Sequence, residues 1–292
     1  MERLDGPRID AAERFVWLFG RLLDRRRFAY LFRAGDPEAV VAALRPYGNP
    51  DGGVGHALEP DLRGPSSQPV PAEHALRVLD EVDRFDDPLV AGVCDWLTGV
   101  SRPDGGVPFL LPTTPPEPSA PWWQAPDDPS GSLNPTAALA GLLHARGVAH
   151  PWLVPATAFC WRGIEALERA EPYETRAVLT FLEHVPDRPR ADRALERVGA
   201  LLLAGDVVEQ DPEAARDLES HRPLDFAPTP ASPGRRLFSG EVIECNLRAL
   251  EAAQEADGGW TVDWPAWTPS AGTEWRAWRT VEALQVLRAY GR

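Results

Sequence analysis

The sequence predicts an all-α fold over 1–292, a single α/α toroid of about five to six helical hairpins whose inner and outer helices alternate around a central cavity. Three observations predict it. Isoleucine occurs only at Ile9, Ile164 and Ile243, while Ala, Leu and Arg abound, a balance that favours helix over strand. The tripeptide Asp-Gly-Gly recurs at Asp51, Asp104 and Asp257, at intervals of 53 and 153 residues. A period of about 50 residues fits one helical hairpin with its two connections, and the longer interval fits three periods. Helix-like stretches also come in two kinds. Ala137, Ala138, Leu139, Leu142 and Leu143 leave few polar positions, as do Val281, Ala283, Leu284, Val286 and Leu287. Segment 188–204 instead mixes Arg with Asp192 and Glu196 around one apolar stripe, the pattern of an outer helix.

The elements follow in order. Helical stretches at 37–44 and 72–83 flank the first tripeptide, 89–97 and 134–145 the second, and 242–256 and 274–290 the third. Segments 152–169 and 191–204 stand where two degenerate units belong, without the glycine pair. At each pair a helix ends in a sharp reversal, where glycine accepts positive φ without a Cβ clash. The preceding aspartate accepts bonds from the turn amides, so Asp51, Asp104 and Asp257 are structural turn residues. The 31 prolines are expected in the connections.

Composition excludes several chemistries. All 30 basic residues are Arg, so there is no lysine for a Schiff base or for a P-loop. A net charge of −14 argues against nucleic acid as partner, although a local arginine cluster can hold a small anion. Cys94, Cys160 and Cys245 are widely spaced and read as buried thiols of a reducing compartment. Residues 1–10 are charged and lack the apolar core of a leader, and no apolar run is long enough to span a bilayer. A soluble, cytoplasmic protein without membrane span, metal or cofactor is expected.

Four groups of residues carry candidate chemistry. Loop 55–63 holds His56, Glu59, Asp61 and Arg63. A carboxylate paired with imidazole can act as general acid or base, and burial beside tryptophan raises a carboxyl pKa. The same loop also reads as a solvated, proline-bounded connection. The second group is Trp260, Trp264, Trp267, Trp275 and Trp278, five of the eleven tryptophans. Trp275 and Arg279 are four apart and share a helix face, as do Glu274 and Trp278. Aromatic walls stabilise cations, stack on sugars or fill core. Trp122 and Trp123, in the proline-rich 112–129, read equally as lid or packing strap. The third group is Glu183-His184 with Asp187, where a helix-terminal histidine beside the C-terminal dipole is the simpler reading. The fourth is Arg222, Arg235 and Arg236 around Asp225, which could hold a diphosphate or carboxylate.

Gln254-Glu255-Ala256-Asp257-Gly258-Gly259-Trp260 has the form Q-x-x-x-G-x-W. It resembles the QW repeat of the terpenoid cyclase and protein prenyltransferase β-subunit superfamily, including the squalene–hopene cyclases. The strings 49–61 and 223–228 are similar to those of a bacterial group of prenyltransferase-like toroid proteins. The resemblance implies that Gln254 bonds backbone at a helix end and that Trp260 stacks on the turn. It implies a cyclase-like enzyme, of the lyase or isomerase kind, acting on a hydrophobic or isoprenoid small molecule. The superfamily's acid motifs are not carried over: Asp83-Arg84-Phe85-Asp86-Asp87 has the wrong spacing for D-x-D-D, and Asp86-Asp87-Pro88-Leu89-Val90 lacks the last acid of D-D-x-x-D. Metal-independent acid–base chemistry is therefore expected, with His56, Glu59 and Asp61 catalytic, and Arg63, Trp264, Trp275, Trp278 and Arg279 binding substrate. The alternatives are a carbohydrate-active α/α-barrel enzyme (hydrolase, lyase or epimerase), with two carboxylates and stacked tryptophans, or a non-catalytic ligand-binding toroid.

Overall fold

A computed structural model describes residues 6–214, 219 and 221–292. Residues 1–5, part of the stretch read for a leader, lie outside the described residues. Among the described residues the chain is all-helical, with two isolated β-bridges and no strand. The α-helices are α1 (Pro7–Phe19), α2 (Leu22–Arg33), α3 (Pro37–Leu44), α4 (Pro69–Glu81), α5 (Pro88–Val100), α6 (Leu133–Ala145), α7 (Leu153–Ala166), α8 (Pro172–His184), α9 (Arg188–Ala204), α10 (Pro223–Phe226), α11 (Gly240–Ala252) and α12 (Pro269–Ala289).

The helices start earlier than the apolar pattern suggests because proline begins many of them. Pro37, Pro69, Pro88, Pro172 and Pro269 each open a helix, where the missing N–H would have had no partner anyway. The expectation that proline belongs to the connections is corrected accordingly. Asp36, Asp87, Asp187, Ser239 and Thr268 cap helices by accepting a first-turn N–H.

The two kinds of helix are real. Ten of the thirteen residues of α6 are buried, against five of the seventeen of α9; α12, expected to resemble α6, has eight of twenty-one. Neighbouring helices pack α4 on α6, α6 on α8 and α8 on α10, while α12 lies against both α1 and α2. The last hairpin therefore rests on the first, and the buried side chains form one connected core from Ala12 to Leu287.

The three Asp-Gly-Gly turns are built alike. Asp51, Asp104 and Asp257 each accept the N–H of the second glycine, at 2.9, 3.0 and 3.0 Å. The first glycines, Gly52, Gly105 and Gly258, have φ of 90°, 91° and 96°. Each turn sits on the helix that opens another hairpin. A Cβ at Gly52 would meet the carbonyl of Gly92 on α5, one at Gly105 that of Pro155 on α7, and one at Gly258 that of Ala11 on α1. Four residues further along those helices, Trp96, Phe159 and Phe15 fill the place a Cβ on the second glycine would take. Gln254 donates to the carbonyls of Arg8, 3.0 Å, and Gly258, 2.9 Å, tying the third turn to the start of α1. Trp260 is buried, its indole N–H on the Leu250 carbonyl at 2.8 Å and its amide on Thr280 at 3.0 Å.

The degenerate units depart from this plan. The α7–α8 connection is only a few residues long, and α10, where an inner helix is due, has four residues. Cys94 and Cys160 are buried and Cys245 half-buried, all as free thiols. Among the described residues no helix is long and apolar enough to cross a membrane.

Candidate active site

The sequence-selected loop 55–63 is folded inward. His56 and Ala57 both adopt left-handed backbone, φ 56° and 61°, and Arg21 at the start of α2 holds the next turn by donating to the carbonyls of Ala57 and Leu58 at 3.0 and 2.9 Å. This places Glu59 and Asp61 in the interior, 2% and 4% exposed. Residues 112–129 act as a strap: Ala120 donates to the Asp61 carbonyl at 2.8 Å, and Trp123 stacks on Phe109 at 4.9 Å.

Around the two acids the structure gathers most of the expected residues. Trp275 donates its indole N–H to Asp61 at 3.1 Å, and Trp264 packs edge-on against Trp275 at 5.4 Å. Arg63 pairs with Glu274 at 2.6 Å. His56 does not join them; it is exposed and bonds Asn49 at 2.8 Å. The imidazole beside Glu59 is His74 of α4, 3.7 Å from the carboxyl and stacked on Trp278 at 5.1 Å. Sequence reasoning missed His74 because it searched the loop and not the helix facing it.

Burial controls both groups. It raises Glu59 to about 8, reinforced by the Asp61 charge and opposed by the Asp61 amide and Arg21. It lowers His74 to about 4, with Arg77 and Arg21 adding to the effect and Glu73 opposing it. Near neutrality the pair is therefore an uncharged acid beside an uncharged imidazole. Asp61 is also raised, chiefly by burial, against the Trp275 bond and Arg63.

The signs give a pH prediction. Glu59 binds its proton more tightly folded than unfolded, so its contribution is present below the ordinary value of 4.5 and is lost as pH rises to about 8. His74 binds its proton less tightly folded, so its contribution is present above 6.5 and is lost as pH falls to about 4. The two oppose each other between 4.5 and 6.5. Above 6.5 Glu59 acts alone, and stability is expected to fall by up to about 2 kcal/mol by pH 8. Urea unfolding at pH 6.5 and 8 checks this: Glu59→Gln should flatten the difference, and an unchanged fall in that variant would assign it elsewhere.

Trp278 connects this cluster to a cavity of about 680 Å³, within the range of small-molecule sites. Every even-numbered helix contributes to its wall: Arg27 of α2, Arg77 of α4, Leu142 of α6, Arg176 of α8, Asp225 of α10 and Glu282 of α12. Of the odd-numbered helices α11 also reaches it, through Asn246, Ala249 and Leu250, where the four-residue α10 leaves a gap. Among the expected substrate-binding residues, Trp278 and Arg279 line this space, as does the turn residue Trp260.

The lining is strongly charged. Glu282 accepts from the Trp278 indole at 2.7 Å and from Arg279 at 3.0 Å, and Arg279 lies 3.8 Å from Asp225. Burial pushes the Glu282 carboxyl up, but Arg279, Arg176, the Trp278 N–H and Arg27 outweigh it and hold Glu282 below the usual carboxylate range. Glu183 behaves oppositely: burial and Asp80 raise it against Arg188 and Arg77, and no hydrogen bond or ion pair engages its carboxyl among the described residues. Arg27 pairs with Glu81 at 2.8 Å and lies 4.0 Å from the Trp278 ring centroid. One cavity thus holds a carboxylate kept ionised and a carboxyl displaced toward its protonated form.

A signal for these residues was present in the sequence. On α4, Arg77, Asp80 and Glu81 follow Glu73 at helical spacing; on α8, Arg176, Thr180 and Glu183 do the same. A charged stripe on a helix otherwise buried on most sides points to an internal cavity.

The chain is similar to a protein from Actinoplanes of known crystal structure, with a TM-score of 0.56 and 18% sequence identity, covering 97% of this chain and 89% of that one. At that identity the likeness shows a shared fold alone. No family model and no curated protein matches the chain.

Proposed function

We propose that the hairpins form a closed α/α ring of the terpenoid-cyclase kind and that its central cavity binds a polar, polyhydroxylated small molecule and acts on it by acid–base chemistry. The observation that carries the reading is the cavity wall, where Glu183 and Glu282 stand among guanidiniums with Trp260 and Trp278 as aromatic faces. A wall of this kind matches hydroxyl groups and sugar-like faces, whereas an isoprenoid chain would set hydrocarbon against the Arg176 guanidinium and the Glu183 carboxyl, which have no bond of their own among the described residues. The contact of the Gly258 turn with α1 supports ring closure.

Two carboxyls with environments that push them apart divide the work of acid and anion. Glu183 is the proton donor, its carboxyl raised by burial toward the protonated form. Glu282 stays ionised and stabilises positive charge that develops on the substrate, held in place by Trp278 and Arg279. Once a substrate is identified by screening neutral and acidic sugars, Glu183→Gln and Glu282→Gln are each expected to lower kcat by at least about 100-fold. Retention of turnover in both variants would refute the assignment.

A second reading rests on Glu59. A buried acid raised to about 8, beside His74 that in turn contacts the Trp275 and Trp278 rings, is the arrangement expected for protonating a hydrophobic substrate, as the sequence resemblance implies. Loss of turnover in Glu59→Gln and Asp61→Asn, with Glu183→Gln active, would select this reading.

A further inference from the structure

We propose that the cavity's ligand carries an anionic group, a carboxylate or a phosphate, and that Arg176 is the residue that holds it. This rests on the reading of the cavity as a small-molecule site and specifies the class of molecule. The four other arginines of the wall each hold a partner within the protein, with Nη1 of Arg27 left over as a buried donor. Arg27 pairs with Glu81, Arg77 donates to Glu73 at 2.6 Å, Arg279 donates to Glu282, and Arg222 donates to the Asp211 carbonyl at 2.6 Å. Arg176 also lines the cavity, yet among the described residues its guanidinium makes no hydrogen bond or ion pair; it lies 5.8 Å from the Tyr173 ring centroid and acts on Glu282 through its charge alone. The nearby Glu282 is already held by Arg279 and Trp278.

A half-buried guanidinium presents five N–H donors in a rigid fork, and a cavity position limits the water that can satisfy them. Carboxylate and phosphate are the groups whose geometry matches that fork. The position of Arg176 also sets a length. Arg176, Thr180 and Glu183 lie on one face of α8, at i, i+4 and i+7, and all three line the cavity. Seven residues of helix span about 10 Å, so an anion at Arg176 and a reacting group at Glu183 are separated by about that distance. A sugar acid or sugar phosphate of one or two rings has this reach, with the Thr180 hydroxyl placed between its ends.

The test is calorimetric titration at constant ionic strength with two matched pairs, lactobionate against lactose and glucose 6-phosphate against glucose. The anionic member of at least one pair is expected to bind at least tenfold more tightly than its neutral partner, and the pair that shows this distinguishes carboxylate from phosphate. Arg176→Gln should abolish the ratio, while Arg176→Lys should keep part of it, as charge without the fork. Because the Arg176 guanidinium makes no hydrogen bond or ion pair among the described residues, Arg176→Gln should keep the wild-type circular dichroism, with a melting temperature lowered only by the loss of its charge near Glu282. Sugars that bind with no preference for the anion, or a preference that survives Arg176→Gln, would overturn the proposal and leave the polar-ligand reading standing. Binding by none of the four probes would overturn both.

Discussion

Gly258→Ala is expected to destabilise the chain by about 2–5 kcal/mol, the combined cost of a non-glycine residue in left-handed backbone and a Cβ forced against main chain. Gly258 has φ 96°, and the added methyl would overlap the Ala11 carbonyl, which belongs to α1 and cannot swing aside as a side chain would. The contact joins two parts of the sequence almost 250 residues apart, so relieving the overlap would part the last hairpin from the first. Gly147→Ala is the matched control. Gly147 has φ 62° and open space where a Cβ would stand, so it should lose only the conformational part, about 1 kcal/mol. Urea midpoints of the two variants decide the matter. Equal losses would show that the turn does not press on α1.

Arg27→Met is expected to cost about 3–5 kcal/mol, because it strands a buried carboxylate. Arg27 is 3% exposed and bonds Glu81 through both Nε and Nη2, at 3.0 and 2.8 Å. Glu81 also accepts from Gln285 of α12 at 3.0 Å, so the pair joins α2, α4 and α12 at the cavity wall. Removing the guanidinium leaves Glu81 with an amide donor in place of a counter-charge, and also removes the cation lying over Trp278. The double variant Arg27→Met, Glu81→Met should recover most of the loss, since two apolar side chains need no partner. A single-variant loss below about 1 kcal/mol would mean that water reaches Glu81 and replaces the arginine.

Much of the fold was legible in the sequence because repetition leaves a local mark. Each Asp-Gly-Gly turn needs an acceptor side chain, a positive φ and a residue without Cβ against a neighbouring helix, and the tripeptide supplies all three. The all-helical content and the two kinds of helix were readable for the same reason, since the face a helix buries fixes its polar spacing. The reduction of α10 to one turn was not readable. Pro223 and Pro228 bound it, but nothing local says that the missing length opens a cavity.

The site was legible in part. Glu59 and Asp61 stood out as acids in a loop longer than a turn requires, and Trp275 and Trp264 do meet them. His56 was drawn in by sequence proximity, although its left-handed backbone leaves it on the surface; the imidazole that faces Glu59 comes from α4. Arg176, Glu183 and Glu282 escaped joint notice because they come from helices that approach one another only in the folded chain. A pair such as Glu183 and Glu282 has no spacing to read.

The measurement that tests the cavity most directly is a crystal structure grown with the tightest-binding of the four sugars. The expected result is a ligand enclosed between α4, α8 and α12, within hydrogen-bond distance of the Arg176 guanidinium and with a hydroxyl or glycosidic oxygen against Glu183. A ligand seated instead against Glu59, Asp61 and Trp275, with the space between the even-numbered helices left to water, would contradict it.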